Sequence, residues 1–182
     1  EVDVLLGETG HDLLDTQPEA GDPALVDLDL DLLLEPDQMY LQIHESIGHP
    51  LELDRILGDE RNYAGTSFVT LDMVGNYRYG SDLLNITFDP TIAEEFATYA
   101  WDDDGMKAEK EFIIRDGILE EFLNNRQTAA TMGVDPNGSA RSSDAHLVPL
   151  IRMTNTIFAP GRQEPRDIIS EVDSGYYVAG HR

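Results

Sequence analysis

Residues 43–54 read Ile-His-Glu-Ser-Ile-Gly-His-Pro-Leu-Glu-Leu-Asp. This stretch contains two closely spaced histidines and residues that constrain the backbone between them. Apolar residues recur at every fourth position before and through it, which predicts a helix over residues 37–57. These residues are Met39, Ile43, Ile47 and Leu51. The histidines of the stretch, His44 and His49, are five residues apart. On a regular helix that spacing leaves the two imidazoles about 140° apart, too far around the axis to share a metal ion.

One extra residue in the helix removes this conflict. A π-bulge closes a hydrogen bond between residues i and i+5, which returns the fifth residue to nearly the same face, and such bulges are frequent at functional sites. Gly48 tolerates unusual backbone angles, and Pro50 has no N–H to donate to the Ser46 carbonyl. The sequence therefore predicts a π-bulge between His44 and His49.

Two imidazoles that flank a carboxylate are typical of a catalytic zinc site. In such sites neutral histidine nitrogens bind the metal, and a glutamate activates its water. His44 and His49 are therefore candidate metal ligands, and Glu45 is the candidate base. A second interpretation stays open on the residues alone, in which the two histidines are partly buried and hydrogen-bonded in an ordinary helix.

The motif supplies two ligands, whereas a catalytic zinc ion usually has three protein ligands and a water. Further candidates exist, although no spacing favours any of them: His11, His146, His181, Glu52 and Asp54. Glu52 and Asp54 follow His49 by three and five residues. Their carboxylates either orient an imidazole N–H from outside the ligand set or form a solvated helix face.

Acidic residues outnumber basic ones three to one in this 182-residue chain, since 36 Asp and Glu against 12 Lys and Arg give a formal charge of −24. Nucleic acids and anionic lipids repel such a chain, so we expect no direct nucleic-acid partner and no membrane partner. No stretch is apolar enough for a transmembrane helix. The chain has no cysteine, which excludes a thiolate metal cage of its own.

Half of the net charge lies in residues 1–40, which hold 12 acids and no base. Within them, residues 24–34 alternate apolar residues with aspartates at period two, which predicts a strand with an acidic outer face. We therefore divide the chain into an acidic lead segment, residues 1–36, and a main domain, residues 37–182. The acidity is either a solvated surface or an adaptation to high salt, where charge repulsion is screened.

The remaining patterns predict an α+β fold in which the motif-bearing helix packs against antiparallel strands and hairpins. The pair Asp116-Gly117 between two apolar runs is the strongest hairpin signal. Gly133 directly after residues 128–132 indicates the end of a short helix. The predicted strands, the last of them a pair of short runs, lie in residues 66–71, 84–88, 111–115, 118–123, 147–158 and 168–178.

The stretch at residues 43–54 is similar to the signature of the TldD/PmbA metalloprotease family, whose catalytic members carry H-E-x-x-x-H. Further family motifs follow in the family's order at residues 63–68, 79–81, 102–105, 115–119, 137–138 and 149–155. The resemblance covers about residues 30–177. It implies a TldD-type catalytic subunit, of which this chain is a central portion truncated at both ends.

For a member of this family, the resemblance implies a zinc-dependent peptidase with His44 and His49 as zinc ligands and Glu45 as the base. The third ligand in the family is a cysteine near the C-terminus, which we expect beyond the end of this chain. The motif at residues 149–155 implies that Arg152 and Asn155 lie near the active site, while an ion pair with an acidic residue is the alternative for Arg152.

The resemblance also implies partners. These are unstructured peptides or unfolded proteins as substrates and a homologous subunit in a homodimer or heterodimer, in the cytoplasm. The competing interpretation is a non-catalytic or metal-free subunit that acts as a binding partner in such a dimer. The family has also been described as modulators of DNA gyrase, an effect that a charge of −24 restricts to an indirect route.

Overall fold

The structure, a computed structural model, describes residues 30–180 of the chain. Its strands are β1 (Asp31–Leu34), β2 (Ile86–Phe88), β3 (Glu111–Arg115), β4 (Ile118–Leu119), β5 (Ala140–Arg141), β6 (Leu150–Ile151), β7 (Thr156–Phe158) and β8 (Gly175–Val178). Its α-helices are α1 (Pro36–Ile43), α2 (Leu53–Leu57), α3 (Arg61–Ala64), α4 (Arg126–Met132) and α5 (Pro165–Glu171). The architecture is α+β, as the sequence predicts.

The chain forms two compact units, and the first includes the described residues 30–42 and 162–180. In this unit β1 pairs with β8 in parallel, with Asp31 opposite Gly175. A Cβ atom on Gly175 would overlap the Asp31 carbonyl, so a larger residue there would separate the two strands.

The second unit comprises residues 43–161 and contains a four-stranded antiparallel sheet in the order β4-β3-β2-β7. The hairpin between β3 and β4 turns through Asp116 and Gly117, whose φ angles are 48° and 77°. Two successive positive φ angles are what a type I′ hairpin turn requires. The predicted hairpin is therefore confirmed. A Cβ on Gly117 would also overlap the Gly80 carbonyl, so the turn is packed against another segment.

One cluster of buried apolar side chains joins this sheet to the segment that carries the histidine motif. Its members are Ile47, Leu51, Leu53, Val69, Ile86, Phe88, Ile113, Ile114, Leu119, Phe122, Leu123 and Ile151. The predicted packing of the motif-bearing segment against antiparallel strands is thus confirmed, and burial of these side chains is the main source of stability for the unit.

The helix predicted over residues 37–57 is interrupted. It consists of α1, a π-helical turn (His44–Gly48), a 3₁₀ turn (His49–Leu51) and α2. Glu52 between the last two is extended, with φ −71° and ψ 116°. The backbone amides of Leu53 and Leu123 donate to the carbonyls of Leu123 and Leu51, at 2.9 Å each. This strand-like pairing with a distant segment ends the helix, which the local periodicity does not reveal.

Gly133 ends α4 with φ 70°, which confirms the predicted helix end. At the other end of the same helix, the Asn125 side chain accepts a hydrogen bond from the Thr128 amide, and the Thr128 side chain accepts one from the Asn125 amide. This reciprocal capping box stabilises the first turn of the helix.

Three strand predictions need correction. Residues 66–71 form no strand, and the last of them begins a 3₁₀ turn (Leu71–Met73). Residues 147–158 divide into β6 and β7. Residues 168–178 hold the end of α5 and then β8 in place of two short strands. The strand predicted over residues 24–34 is present as β1 at its end, whereas residues 24–29 lie outside the described range.

The helices within residues 30–180 are all too short or too polar to cross a bilayer. The division into a lead segment, residues 1–36, and a main domain, residues 37–182, stays a prediction, because residues 1–29 and 181–182 are outside the described part of the chain.

Asp54 connects α2 to β6. Its Oδ2 accepts a hydrogen bond from the Ile151 amide at 3.1 Å, and its Oδ1 accepts one from the Arg55 amide at 2.8 Å. The pKa of Asp54 is raised from 3.8 to about 6, mainly by burial and also by the nearby carboxylates of Glu52 and Glu60, against the opposite effect of the two hydrogen bonds.

We predict that Asp54 makes folding stability fall as the pH rises from 5 to 7.5. A carboxyl group whose pKa is higher in the folded state binds its proton more tightly there, so its contribution is present at low pH and is lost as the pH passes the folded-state pKa. Relative to Asp54→Asn, the unaltered chain should lose about 1–1.5 kcal/mol of unfolding free energy over that interval. Urea titrations with chelator at both pH values measure this difference.

The matched control is Asp59→Asn, which alters an exposed carboxylate in the turn after α2. It should leave the pH dependence of stability equal to that of the unaltered chain. Equal pH dependence for the unaltered chain and Asp54→Asn would show that burial does not perturb Asp54.

Candidate active site

The π-helical turn brings the three residues of the motif together. The His49 amide donates to the His44 carbonyl, which is the i to i+5 hydrogen bond of a π-bulge. The imidazole centroids of His44 and His49 are 4.5 Å apart, with the rings nearly perpendicular. One potential ligand atom from each of His44, Glu45 and His49 lies within 4.8 Å of the others. The predicted bulge is confirmed.

Two hydroxyl groups from outside the helix stabilise this turn. Pro50 cannot donate to the Ser46 carbonyl, and the Tyr79 hydroxyl donates to that carbonyl at 2.8 Å. The Ser67 hydroxyl donates to the Pro50 carbonyl at 2.7 Å. Burial raises the pKa of Tyr79, so its hydroxyl keeps the proton that the hydrogen bond needs.

Gly48 lets a second segment approach the turn closely. A Cβ atom at this position would overlap the thioether of Met153. The backbone of the turn therefore packs directly on the Met153 side chain, and this contact explains why the position takes glycine. Gly48 itself has ordinary helical angles, φ −59° and ψ −67°, so its role is in packing and not in the tolerance for unusual backbone angles that the sequence suggests.

A buried carboxylate contacts the Nδ1 side of the His49 ring and orients it. The Glu52 side chain is fully buried, and its Oε2 lies 3.1 Å from His49 Nδ1. Arg55 donates to the same oxygen from Nε at 3.1 Å and from Nη2 at 2.9 Å. Arg55 Nη2 also lies 3.2 Å from His49 Nδ1. In the tautomer that carries its proton on Nδ1, the ring donates to Glu52, and the Nε2 lone pair is the one available to a metal.

Arg55 balances the negative charge of Glu52 through an ion pair with Oε2. The other oxygen, Oε1, has no hydrogen-bond partner among the described residues. Arg55 is itself anchored, because its Nη1 donates to the Ala64 carbonyl at 3.0 Å. An ion pair in which one partner is fully buried is rigid, because separating the charges would leave an uncompensated carboxylate in the core. Glu52 is therefore a fixed support for the imidazole.

Glu52 and Asp54 are both buried, so neither forms the solvated helix face that the sequence left open. Only Glu52 contacts an imidazole, because the Asp54 oxygens accept hydrogen bonds from backbone amides. His146 is exposed, and its amide donates to Asp144. The group among residues 30–180 that could hold a metal ion therefore comprises His44, Glu45 and His49. The other histidine candidates, His11 and His181, lie outside the described residues.

Arg152 and Asn155 support neighbouring segments and do not contact the histidines. Arg152 Nη1 donates to the Ile151 carbonyl at 2.6 Å, and Nη2 lies 3.4 Å from a Glu60 carboxylate oxygen. This is the ion pair that the sequence offered as the alternative for Arg152. Asn155 donates to the Asp89 carbonyl and the Thr98 hydroxyl and accepts from the Ala97 amide, which holds a loop in place.

Reasoning from the residues alone did not identify Tyr79, Ser67 and Arg55 as supports of the site. Tyr79 and Ser67 lie in segments quoted only for their family resemblance, and nothing in their spacing connects them to Ser46 or Pro50. Arg55 had a local signal, since an acid and a base three residues apart on a helix are neighbours.

Residues 29–181 match the family model of the PmbA/TldA metallopeptidase C-terminal domain. A metalloprotease of Methanocaldococcus jannaschii is 31% identical over 151 residues, which are 83% of this chain and 32% of that protein. A zinc metalloprotease TldD homologue of Saccharolobus solfataricus is 31% identical over 148 residues, which are 81% of this chain and 30% of that protein. The chain thus spans about a third of the length of these relatives.

The fold resembles the crystal structure of TldE from Thermococcus kodakarensis, with a TM-score of 0.67 over 80% of this chain and 31% of that chain. The sequences are 18% identical, so this likeness concerns the fold. It agrees with the α+β class that the sequence predicts.

We predict that Tyr79→Phe destabilises the π turn. Without the phenol hydroxyl, the Ser46 carbonyl loses its donor and Pro50 cannot replace it, so the unfolding free energy should fall by about 1 kcal/mol. Urea denaturation measures the loss. Tyr77→Phe is the matched control, because Tyr77 packs edge-on against Tyr79 while its hydroxyl makes no hydrogen bond to the described residues. Equal stability of the two variants would contradict the role given to Tyr79.

Proposed function

Since this chain belongs to the PmbA/TldA metallopeptidase family, we propose that it provides the zinc-binding helix of a peptidase that hydrolyses peptide bonds in unstructured peptides. His44 and His49 are the proposed zinc ligands, and Glu45 is the proposed general base. The observation that carries the proposal is the π turn, which brings one donor atom of each of these residues within 4.8 Å of the others. A regular helix would separate the two imidazoles.

The chemistry of this donor set fits zinc. Imidazole nitrogens and carboxylate oxygens are ligands that zinc prefers, and Glu52 leaves His49 Nε2 as the free nitrogen. His44 and Glu45 are exposed and His49 is half-buried, so solvent and substrate can reach the group. Zinc also occurs in the name of the Saccharolobus solfataricus relative. We propose that a cysteine outside this chain supplies the third ligand.

In the proposed reaction Glu45 transfers protons. A zinc ion held by His44 and His49 would supply Lewis acidity toward the scissile amide and the attacking water. The Glu45 carboxylate accepts a proton from that water and returns it to the leaving amine nitrogen. Glu52 and Arg55 keep the His49 ring in one orientation throughout, and Tyr79 keeps the backbone of the turn in place.

An unstructured peptide fits the proposed site because its backbone can add to a strand edge. β7 is an edge strand of the four-stranded sheet and follows the segment of Arg152 to Asn155 directly. We further propose a homologous subunit as partner, in a homodimer or heterodimer, and a cytoplasmic location. A charge of −24 argues against direct contact with nucleic acid or an anionic membrane.

One observation favours a second candidate function. The chain has no cysteine, and the described residues offer two histidines and one glutamate to a metal. Without a third ligand besides the base, the chain would act as a metal-free binding partner in a dimer of homologous subunits. Zinc analysis of this chain beside a longer version with a downstream cysteine separates the two. Zinc only in the longer version would support the external ligand, and equal stoichiometry would place all ligands here.

We predict that Glu45→Gln reduces hydrolysis of an unfolded peptide by at least about 100-fold, because the amide cannot accept a proton from water. The longer, zinc-loaded version is the enzyme for this test, and mass spectrometry of the products gives the rate. Zinc content should remain unchanged. Glu109→Gln, at an exposed residue paired with Lys107, is the control and should keep the full rate. Hydrolysis by Glu45→Gln at the unaltered rate would refute Glu45 as the base.

We predict that Glu52→Gln weakens zinc binding by about 10–100-fold, because the neutral amide no longer fixes the His49 tautomer and leaves Arg55 without its countercharge. Competition with a zinc-binding dye measures the affinity in the longer version. Glu120→Gln removes the exposed partner of Arg115 and serves as the control. Unchanged zinc affinity in Glu52→Gln would show that the buried carboxylate has no influence on the ligand.

A further inference from the structure

The geometry points to a carboxylate-binding subsite beside the π turn, a cavity that receives either an acidic side chain or the free C-terminus of a peptide. The cavity has a volume of about 500 Å³, within the usual range for small-ligand sites. Met153 lines it and also packs against Gly48 in the π turn. The inference rests on the proposed peptidase function for its biological use, although the binding itself does not require zinc.

The charges that line this cavity have the opposite sign to those of the chain as a whole. Acids outnumber bases three to one in the sequence, yet the charged residues that line the cavity are Arg141 and Arg152. Both positions belong to one ribbon, because Arg141 lies in β5 opposite Leu150 of β6 and Arg152 follows that strand directly. A cationic cavity on an acidic protein attracts anions locally.

Arg141 is the cation available to a ligand. Its guanidinium lies over the Tyr99 ring at 4.6 Å from the centroid, and no carboxylate of residues 30–180 lies within ion-pair distance of it. Its side chain also interacts with the Tyr99 hydroxyl, and a guanidinium carries further N–H donors beyond those used there. Those donors suit a carboxylate in a bidentate hydrogen bond. Arg152, in contrast, is already paired with Glu60.

The other walls suit the carbon chain that would carry such a carboxylate. Leu147 and Val148 line the cavity with side chains that are 57% and 76% exposed, which gives an apolar surface open to a ligand. Ser143 contributes a hydroxyl that has no hydrogen-bond partner among the described residues. An apolar wall with a few convergent polar groups is the usual composition of a ligand site.

A second cavity on the same loop carries charges of the opposite sign. It has a volume of about 520 Å³ and shares Ser142, Ser143 and Leu147 with the first, but its charged residues are Asp103 and Asp144. These carboxylates would repel a ligand carboxylate. The sign of the charge thus reverses across the loop, and a peptide carboxylate is directed to the side of Arg141.

The test is a set of three N-acetylated octapeptides titrated calorimetrically into the chain with chelator present, so that neither hydrolysis nor a metal contributes to the binding. One peptide is neutral throughout with a C-terminal amide, one has an internal glutamate with the amide, and one is neutral with a free C-terminus. At low salt one of the two carboxylate peptides should bind about tenfold more tightly than the neutral peptide. The peptide that gains affinity identifies the source of the carboxylate.

Arg141→Gln should abolish this tenfold gain. Arg115→Gln is the matched control, because Arg115 also stacks on an aromatic ring, that of Phe112 at 4.1 Å, away from the cavity. It should keep the gain. Arg141→Lys retains the charge without the planar edge, so it should keep only part of the gain and remain usable if the glutamine variant fails to fold.

Equal affinity for all three peptides would overturn the subsite, and so would a gain that persists in Arg141→Gln. These outcomes are independent of the peptidase proposal. A carboxylate preference in a chain whose zinc-loaded longer version shows no hydrolysis leaves the subsite standing and refutes the peptidase. Hydrolysis by the longer version, without any carboxylate preference in peptide binding, supports the peptidase and refutes the subsite.

Discussion

The absence of an amide hydrogen at Pro50 is the constraint on which the site depends. A helix that continued through this residue would leave the Ser46 carbonyl unpaired and would separate His44 from His49. The chain instead closes a π turn, and Tyr79 supplies the missing donor to Ser46. The positions of both imidazoles and of Glu45 therefore follow from how one carbonyl group is satisfied.

Carboxylates that are buried near the histidine motif differ from surface carboxylates because they need specific partners. Glu52, Asp54 and Glu60 are buried near the histidine motif. Each has a specific partner: Arg55 for Glu52, two backbone amides for Asp54, and Arg152 for Glu60. Burying charge is tolerated only with such partners, so the two arginines are as necessary to this region as the carboxylates.

Basic residues are scarce in this chain, so the surroundings of each arginine bear on its role, and those of Arg141 are unusual. With 12 Lys and Arg in the chain, an arginine that lines a cavity and has no carboxylate partner among residues 30–180 differs from Arg55 and Arg152, whose charges are already compensated by the fold. The fold can thus combine the proposed metal-binding helix with a separate cationic site on another ribbon. Met153 contacts both, so a substrate held in the cavity lies next to the segment that carries the proposed base.

Local sequence rules determined the elements whose causes lie within a few residues. The spacing of His44 and His49, with Gly48 and Pro50 between and after them, predicted a π turn as the arrangement in which both histidines can share a metal. Asp116-Gly117 predicted a tight hairpin, because backbone geometry and missing donors act on near neighbours. The tertiary structure alone decided what supports them. Tyr79 reaches Ser46 across 33 residues, and Asp54 reaches Ile151 across 97. Burial and the choice of a hydrogen-bond partner depend on which distant segments pack together, and no local pattern contains that information.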